Sequence, residues 1–226
     1  MDKLATIEFL AQLPILASLQ QDDLATLADY CRLKKAPRYH FIYMPDDPVE
    51  HLYFLVGGRV KTGTFTEEGK EVIKEILQPG ALFSDVGLTG AGKYTDYAQA
   101  LHDEVEYLCV SLSDFQQLMQ TRTNLVLSCM AHLSKRLCRL EERLANMVSK
   151  DARERIIEFL VETAGREGRR IGFETLVKHH LTQADIASLT GTSRQTVTSV
   201  LNELKKANLI YFKRNSILIR DVAKLA

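Results

Sequence analysis

The sequence predicts an α+β protein in three successive pieces. First comes a β-roll or jelly roll of short strands, then one long helix, then a compact module of helices that ends in a strand pair. Three observations carry this. Short β-prone runs between turn signals fill residues 33–111. An apolar repeat of four and three residues runs from Val126 to Met147. Two short amphipathic stretches then meet at Gly191, with two apolar runs around a basic turn behind them. The boundaries expected from these shifts are 1–120, 121–149 and 150–226.

A chain of 226 residues, 46% of them hydrophobic, can bury two modest cores. The formal net charge is +0, but it is unevenly placed. From Asp151 onward there are 13 Lys/Arg against 9 Asp/Glu, leaving 16 against 20 before it. A basic end on an acidic body fits a nucleic-acid-binding module joined to a separate sensing module. The four cysteines, Cys31, Cys109, Cys129 and Cys138, are scattered and show no metal spacing or disulfide framework. The apolar run Phe9–Leu19 is broken by Gln12 and Pro14 and preceded by Asp2 and Glu8, so it reads neither as a leader nor as a membrane span. The cytoplasm is the expected location, with no membrane partner.

Residues 3–30 read as short helices whose apolar positions are Leu10, Leu13, Leu16, Leu19, Leu24 and Leu27. From Leu33 the texture becomes β. Leu52–Val56 is a strand, Val60–Phe65 and Val72–Leu77 flank the Glu67–Gly69 turn as a hairpin, and Glu104–Ser111 is a further strand. Pro45-Asp46-Asp47, Gly57-Gly58 and Pro79-Gly80 punctuate them. Many short strands at this spacing predict a jelly roll.

From Thr123 to Met147 a single helix is expected. Val126, Met130, Leu133, Leu137, Leu140, Leu144 and Met147 form a heptad seam, which predicts a dimer interface in a homodimer. With Met130, Leu137 and Leu144 at a, Arg136 falls at g and Glu141 at e, so Arg136 would face Glu141 of the partner subunit. Ser149-Lys150-Asp151 reads as a hinge. Arg153–Thr163 opens the last module with Ile156, Ile157, Leu160 and Val161 as its inner face.

The next helix starts at Thr182, where Thr182 and Asp185 form a capping box with Asp in place of Glu or Gln. Gly191 supplies the turn, and Thr192 or Ser193 caps the second helix. Val197, Val200, Leu201 and Leu204 are its core stripe. Arg194, Gln195, Thr198 and Ser199 lie on the polar side with Asn202 and Lys205. Arg can fork onto guanine and Gln onto adenine in the major groove. Thr182 and Ser193 sit where helix N-termini hold phosphates. Leu209–Phe212 and Ile217–Ile219 read as two strands around Lys213-Arg214-Asn215-Ser216, a wing that brings Lys213 and Arg214 to the backbone of the same DNA.

The run Leu181–Leu209, with Thr-Ser-Arg-Gln-Thr-Val at 192–197 as its most specific piece, resembles the C-terminal winged helix-turn-helix of the Crp/Fnr family of bacterial transcription regulators. The order strand, Gly-Gly, hairpin, Pro-Gly, strand resembles that family's cyclic-nucleotide-binding-type β-roll. The resemblance implies an effector domain at 1–120, a dimerisation helix and hinge at 121–149, and a DNA-binding domain at 150–226. It also implies palindromic DNA, RNA polymerase and a small-molecule effector as partners, and no enzymatic activity. Two reading helices about 34 Å apart match one turn of B-DNA.

The sensor departs from the family. Cyclic-AMP-binding members carry Gly-Glu before an apolar run and Arg-Ser after it. Here Ser84-Asp85 and Tyr94-Thr95 stand in those places, with Phe83 before them, Asp96 beside them and Lys93 as the nearest cation. On the helix, Leu140 and Glu141 fall where the adenine-contacting hydroxyls would sit. The expected effector pocket is therefore Phe83, Ser84, Asp85, Tyr94, Thr95 and Leu140, with cyclic AMP disfavoured, since a buried phosphate lacks its guanidinium. An iron–sulfur cluster is also disfavoured, because only Cys31 lies near the N-terminus. No cofactor is identified. Haem ligation by one of the six histidines stays open. Arg194, Gln195, Thr198 and Ser199 match neither the cyclic-AMP branch nor the oxygen branch in specificity pattern.

The alternative reading is a cupin-like, metal- or small-molecule-binding β-roll enzyme, which needs a His-x-His that the chain lacks. A module that had lost DNA binding would need a disabled second helix, whereas Arg194, Gln195 and the capping hydroxyls are present.

Overall fold

The computed structural model describes residues 1–90, 92–213 and 216–225. The chain divides into two compact units, Met1–Arg139 and Leu140–Ala226.

The first unit opens with α1 (Lys3–Ala11), a 3₁₀ turn (Pro14–Leu16) and α2 (Gln21–Tyr30). Helices this short are marginal on propensity alone, and burial fixes them. Leu10, Leu13, Leu16 and Leu27 are fully buried, each contributing about 1.5–3 kcal/mol. Strands β1 (Arg32–Pro37), β2 (Phe41–Tyr43), β3 (His51–Gly57), β4 (Val60–Phe65), β5 (Glu71–Leu77), β6 (Leu82–Phe83), β7 (Tyr97–Ala100) and β8 (Glu104–Ser111) follow. They form two antiparallel four-stranded sheets, ordered β1-β8-β3-β6 and β2-β7-β4-β5. The continuous apolar run of β3 has a simple cause: both of its faces are covered. Leu52 and Phe54 join the core shared with the N-terminal helices, while Tyr53 and Leu55 join the interior of the roll.

Helix α3 (Leu112–Thr121), capped by Ser111, leads into α4 (Thr123–Ser149), the long helix that the seam predicts. Its first turns are anchored in the N-terminal core by Leu125 and Cys129. Arg122, between the two helices, grips the buried Asp23 with Nε 2.8 Å from both carboxylate oxygens. Along the seam Val126 and Leu133 are half-buried, while Met130, Leu137, Leu140, Leu144 and Met147 are exposed. The expected Arg136–Glu141 pairing across a dimer needs correction. Arg136 is engaged within its own chain by Asp85, as described below.

The second unit holds α5 (Ala152–Glu167), β9 (Arg169–Ile171), β10 (Glu174–Lys178), α6 (Gln183–Thr190), α7 (Arg194–Lys206), β11 (Ile210–Lys213), β12 (Ser216–Ile219) and α8 (Val222–Leu225). Asp151 closes a capping box with Glu154 at the start of α5. Gly168 ends that helix where any Cβ would stand 2.2 Å from the Ala164 carbonyl oxygen. The wing strands do not stand alone. They continue into a sheet ordered β11-β12-β10-β9, whose β9–β10 hairpin the sequence did not reveal. Ile156, Leu160, Val177, Ile186, Val197, Val200, Leu201, Leu204, Ile217 and Ile219 are buried in this unit. Among the described residues no helix is long and apolar enough to cross a membrane.

Candidate nucleic-acid interface and effector cleft

Helix α6 begins with the capping box that the sequence shows. Thr182 Oγ1 accepts from Asp185 N at 3.1 Å, and Asp185 Oδ2 accepts from Thr182 N at 2.7 Å. It ends at Gly191, whose φ of 61° is left-handed. A Cβ there would also lie 3.2 Å from the Met147 methyl carbon. Ser193 then caps α7 by accepting from Thr196 N at 3.0 Å. Val197, Val200, Leu201 and Leu204 point inward and are buried.

The opposite side of α7 is turned to solvent. Ser193, Arg194, Gln195 and Ser199 are exposed, as is Thr182 at the start of α6, and Thr198 is half-buried. The Thr198 hydroxyl lies 2.6 Å from Gln183 Oε1 and 2.9 Å from the Arg194 carbonyl, so it bridges the two helices as well as facing outward. On the wing, Lys213 Nζ sits 5.9 Å from the centre of the Tyr211 ring. Lys205 Nζ lies 5.3 Å from the Tyr211 ring centre and 5.5 Å from that of Phe212. Arg214, also expected here, lies outside the described residues.

The turn between α6 and α7 is held from behind by two arginines that sequence reading did not single out. Arg143 Nη2 donates to the carbonyls of Ser188 and Leu189 at 3.4 and 2.9 Å. Arg155 donates from Nε to Thr190 O at 2.8 Å, from Nη2 to Gly191 O at 3.1 Å, and from Nη1 to Lys150 O at 2.5 Å. Bonds from a side chain to distant backbone carbonyls leave no periodic trace in a sequence.

In the first unit a cleft of about 280 Å³ opens in the roll. Of the expected pocket residues, Phe83, Ser84, Asp85 and Thr95 line it. Tyr94 does not line it. Its ring stacks 3.8 Å from that of Tyr43, which does. Leu140 belongs to the second unit and is 52% exposed. Ser84 holds a left-handed backbone at φ 68°, which is costly without glycine. Its hydroxyl lies 2.7 Å from the His51 carbonyl and 2.6 Å from the Tyr94 hydroxyl. Lys93 is exposed and pairs through its backbone with Pro48, away from the cleft lining.

The charged groups of the cleft are paired with each other. Lys74 Nζ lies 3.1 Å from Asp96 Oδ2. Arg136 donates to Asp85 Oδ1, and His132 Nε2 lies 3.5 Å from Asp85 Oδ2. Burial pushes the Asp85 carboxyl up, but the His132 contact and the Arg136 charge outweigh it, so its pKa is held below the ordinary carboxylate value. Lys74, Arg136, Tyr43 and Leu133 are cleft residues that sequence reading missed. Arg136 was visible only as a heptad g position. Burial drives the Tyr43 and Tyr53 hydroxyls far up, so both stay neutral in an aromatic cluster with Phe83 and Tyr94. Among the described residues no group of three or more His, Cys, Asp or Glu could hold a metal ion.

Comparison with known proteins matches residues 33–122 to the cyclic nucleotide-binding domain and residues 154–226 to the Crp-like helix-turn-helix domain. A CRP-like cAMP-activated global transcriptional regulator of Mycobacterium tuberculosis is 28% identical over 219 residues, covering 97% of each chain. The global nitrogen regulator of Synechocystis is 26% identical over 82% of this chain and 83% of its own. Among solved structures, FixK2 of Bradyrhizobium japonicum superposes with a TM-score of 0.76 at 21% identity, covering 86% of this chain and 95% of its own. A CooA mutant from Carboxydothermus hydrogenoformans gives 0.73 at 25% identity, covering 94% and 93%. Both domains and their order are shared with relatives matched along nearly their whole length, and the chain belongs to the Crp/Fnr family of transcription regulators.

Proposed function

We propose that the protein is a homodimer that reads a palindromic DNA site under control of a small ligand other than cyclic AMP in the roll. The observation that carries DNA reading is the exposed face of α7, where Arg194 and Gln195 are the first two residues past the Ser193 cap. Arg194 and Gln195 make the main base-edge contacts, with Thr198 and Ser199 secondary. Thr182 and Ser193 hold phosphates, with Lys213 and Arg214 assisting from the wing. Dimerisation rests on the exposed seam: Leu137 and Leu144 are 57% and 65% exposed on one stripe of α4. An apolar stripe of this regularity facing water is stabilised by a second copy. RNA polymerase is the machinery on which such a regulator acts, and the cytoplasm is where both meet DNA.

The effector reading rests on the cleft. A cyclic phosphate placed there would meet the carboxylates of Asp85 and Asp96, while the cations Arg136 and Lys74 are already paired to them. A ligand that competes for Arg136 would loosen the roll's hold on α4, which is a direct route from cleft to helix. Selection of bound duplexes from random oligonucleotides tests DNA reading. Enrichment of an inverted repeat is expected, and failure to enrich any sequence overturns it. Titration calorimetry with cyclic AMP tests the effector reading, with no micromolar binding expected.

A further inference from the structure

We propose that Arg143 and Arg155 are positioning residues for DNA reading, fixing the spacing of the two half-sites rather than the bases read. This rests on the dimeric, palindrome-reading function proposed above.

A helix leaves its last carbonyls without intrahelical partners. In α6 the left-handed Gly191 satisfies only part of this set. The Ala187 carbonyl accepts from Thr192 N at 2.9 Å, and the Gly191 N–H turns back to Ala187 and Ser188. The carbonyls of Leu189, Thr190 and Gly191 accept from Arg143 and Arg155, and the Ser188 carbonyl, already bonded by the Gly191 N–H, also lies 3.4 Å from Arg143 Nη2. These are charge-assisted bonds at the negative end of a helix, where a cation is favoured. Arg155 also holds Lys150 O, just past the end of α4, so one guanidinium ties together the ends of two helices. Nearby, Asn146 Nδ2 and Lys150 Nζ both donate to Glu158, at 3.2 and 2.5 Å. Met147 packs against Gly191.

Sequence reading placed a hinge at Ser149-Lys150-Asp151. Lys150 and Asp151 are instead bonded to α5, Lys150 through Glu158 and Arg155 and Asp151 through Glu154, and the second unit begins at Leu140, inside α4. The last turns of α4 and the reading helix therefore move as one body. Neither arginine is on the exposed face of α7, so neither reads a base. What they fix is the angle between the tail of the dimer helix and α7, and in a dimer that angle sets the distance between the two readers.

The test uses the full chain and a library of inverted repeats in which the half-site is constant and the central spacer varies. Arg143→Gln and Arg155→Gln are compared with wild type and with Arg143→Lys, alongside light scattering and thermal unfolding. The glutamine variants are expected to bind the best spacer roughly tenfold more weakly, the loss of one charge-assisted contact, and to accept neighbouring spacers that wild type rejects. They should remain dimeric with unchanged base preference, and Arg143→Lys should recover part of the spacer selectivity. Arg143→Gln removes two bonds to backbone carbonyls where Arg155→Gln removes three, so the Arg143 variant carries the test should the Arg155 variant fail to fold. If wild type selects one spacer and the Arg143→Gln profile matches it, this inference is overturned alone. If wild type selects no paired half-sites, the functional reading falls and takes this inference with it.

Discussion

The guanidinium of Arg136, on the long helix, is paired with the buried carboxylate of Asp85, which opens a second 3₁₀ turn (Asp85–Thr89) after β6. Asp85 is 6% exposed, and His132 Nε2 lies 3.5 Å from its other carboxylate oxygen. Removing one partner of such a pair leaves a charge with poor solvation. Arg136→Met is expected to cost about 1–3 kcal/mol near neutral pH, less than a fully buried pair because the Arg136 side chain is 30% exposed. The pKa of Asp85 is lowered in the fold, so its stabilising contribution is present above the ordinary carboxylate value of about 3.9 and is lost as pH falls through the folded value. Urea unfolding of wild type and variant should therefore differ most near pH 7 and draw together as pH falls below the ordinary carboxylate value. A gap constant across that range would place the loss elsewhere.

Leu137→Glu puts a carboxylate in the middle of the exposed stripe. Light scattering should show the mass of one chain where wild type shows two, and affinity for the palindrome should fall. An unchanged mass would count against the seam.

Arg194→Ala should weaken binding to the selected site by about 1–3 kcal/mol and relax preference at one base position, measured by competition with single-base variants of the site. Equal weakening on every duplex would assign Arg194 to a phosphate.

Of the four free cysteines only Cys138 is exposed. Burial pushes the Cys31 thiol up to about 12 and the Cys129 thiol up to about 11. Their neutral forms support the fold fully below the ordinary thiol value, and this support is lost as pH rises through about 11 and about 12. A maleimide near pH 7 should label one thiol in the native protein and four in denaturant. Rapid native labelling of a second thiol would contradict the packing of Cys129 in the N-terminal core.

What could be read in the sequence followed from periodicity and turn chemistry. The stripe from Val126 to Met147, the Thr182–Asp185 box and Gly191 are local patterns, and the structure contains each helix they predict. The β9–β10 hairpin was missed because Arg169 and Arg170 give β9 no alternation, and its tip carries the fully exposed Phe173. Arg136 was misread for a different reason. A heptad position states which side of a helix a residue is on, but a long flexible side chain can turn toward its own domain as readily as toward a partner. Arg143 and Arg155 gave no signal, because the α6 carbonyls they hold are more than thirty residues away and common to every amino acid.

Lys205 and Lys213 lie over the rings of Tyr211 and Phe212. A free lysine gives up about 1.5–2 kcal/mol of rotamer freedom when it is immobilised. Cations already resting on aromatic faces have lost part of that freedom before any duplex arrives. In the proposed complex these lysines would therefore reach the phosphate backbone pre-ordered, with a smaller loss of disorder than the same number of lysines on a bare loop would incur.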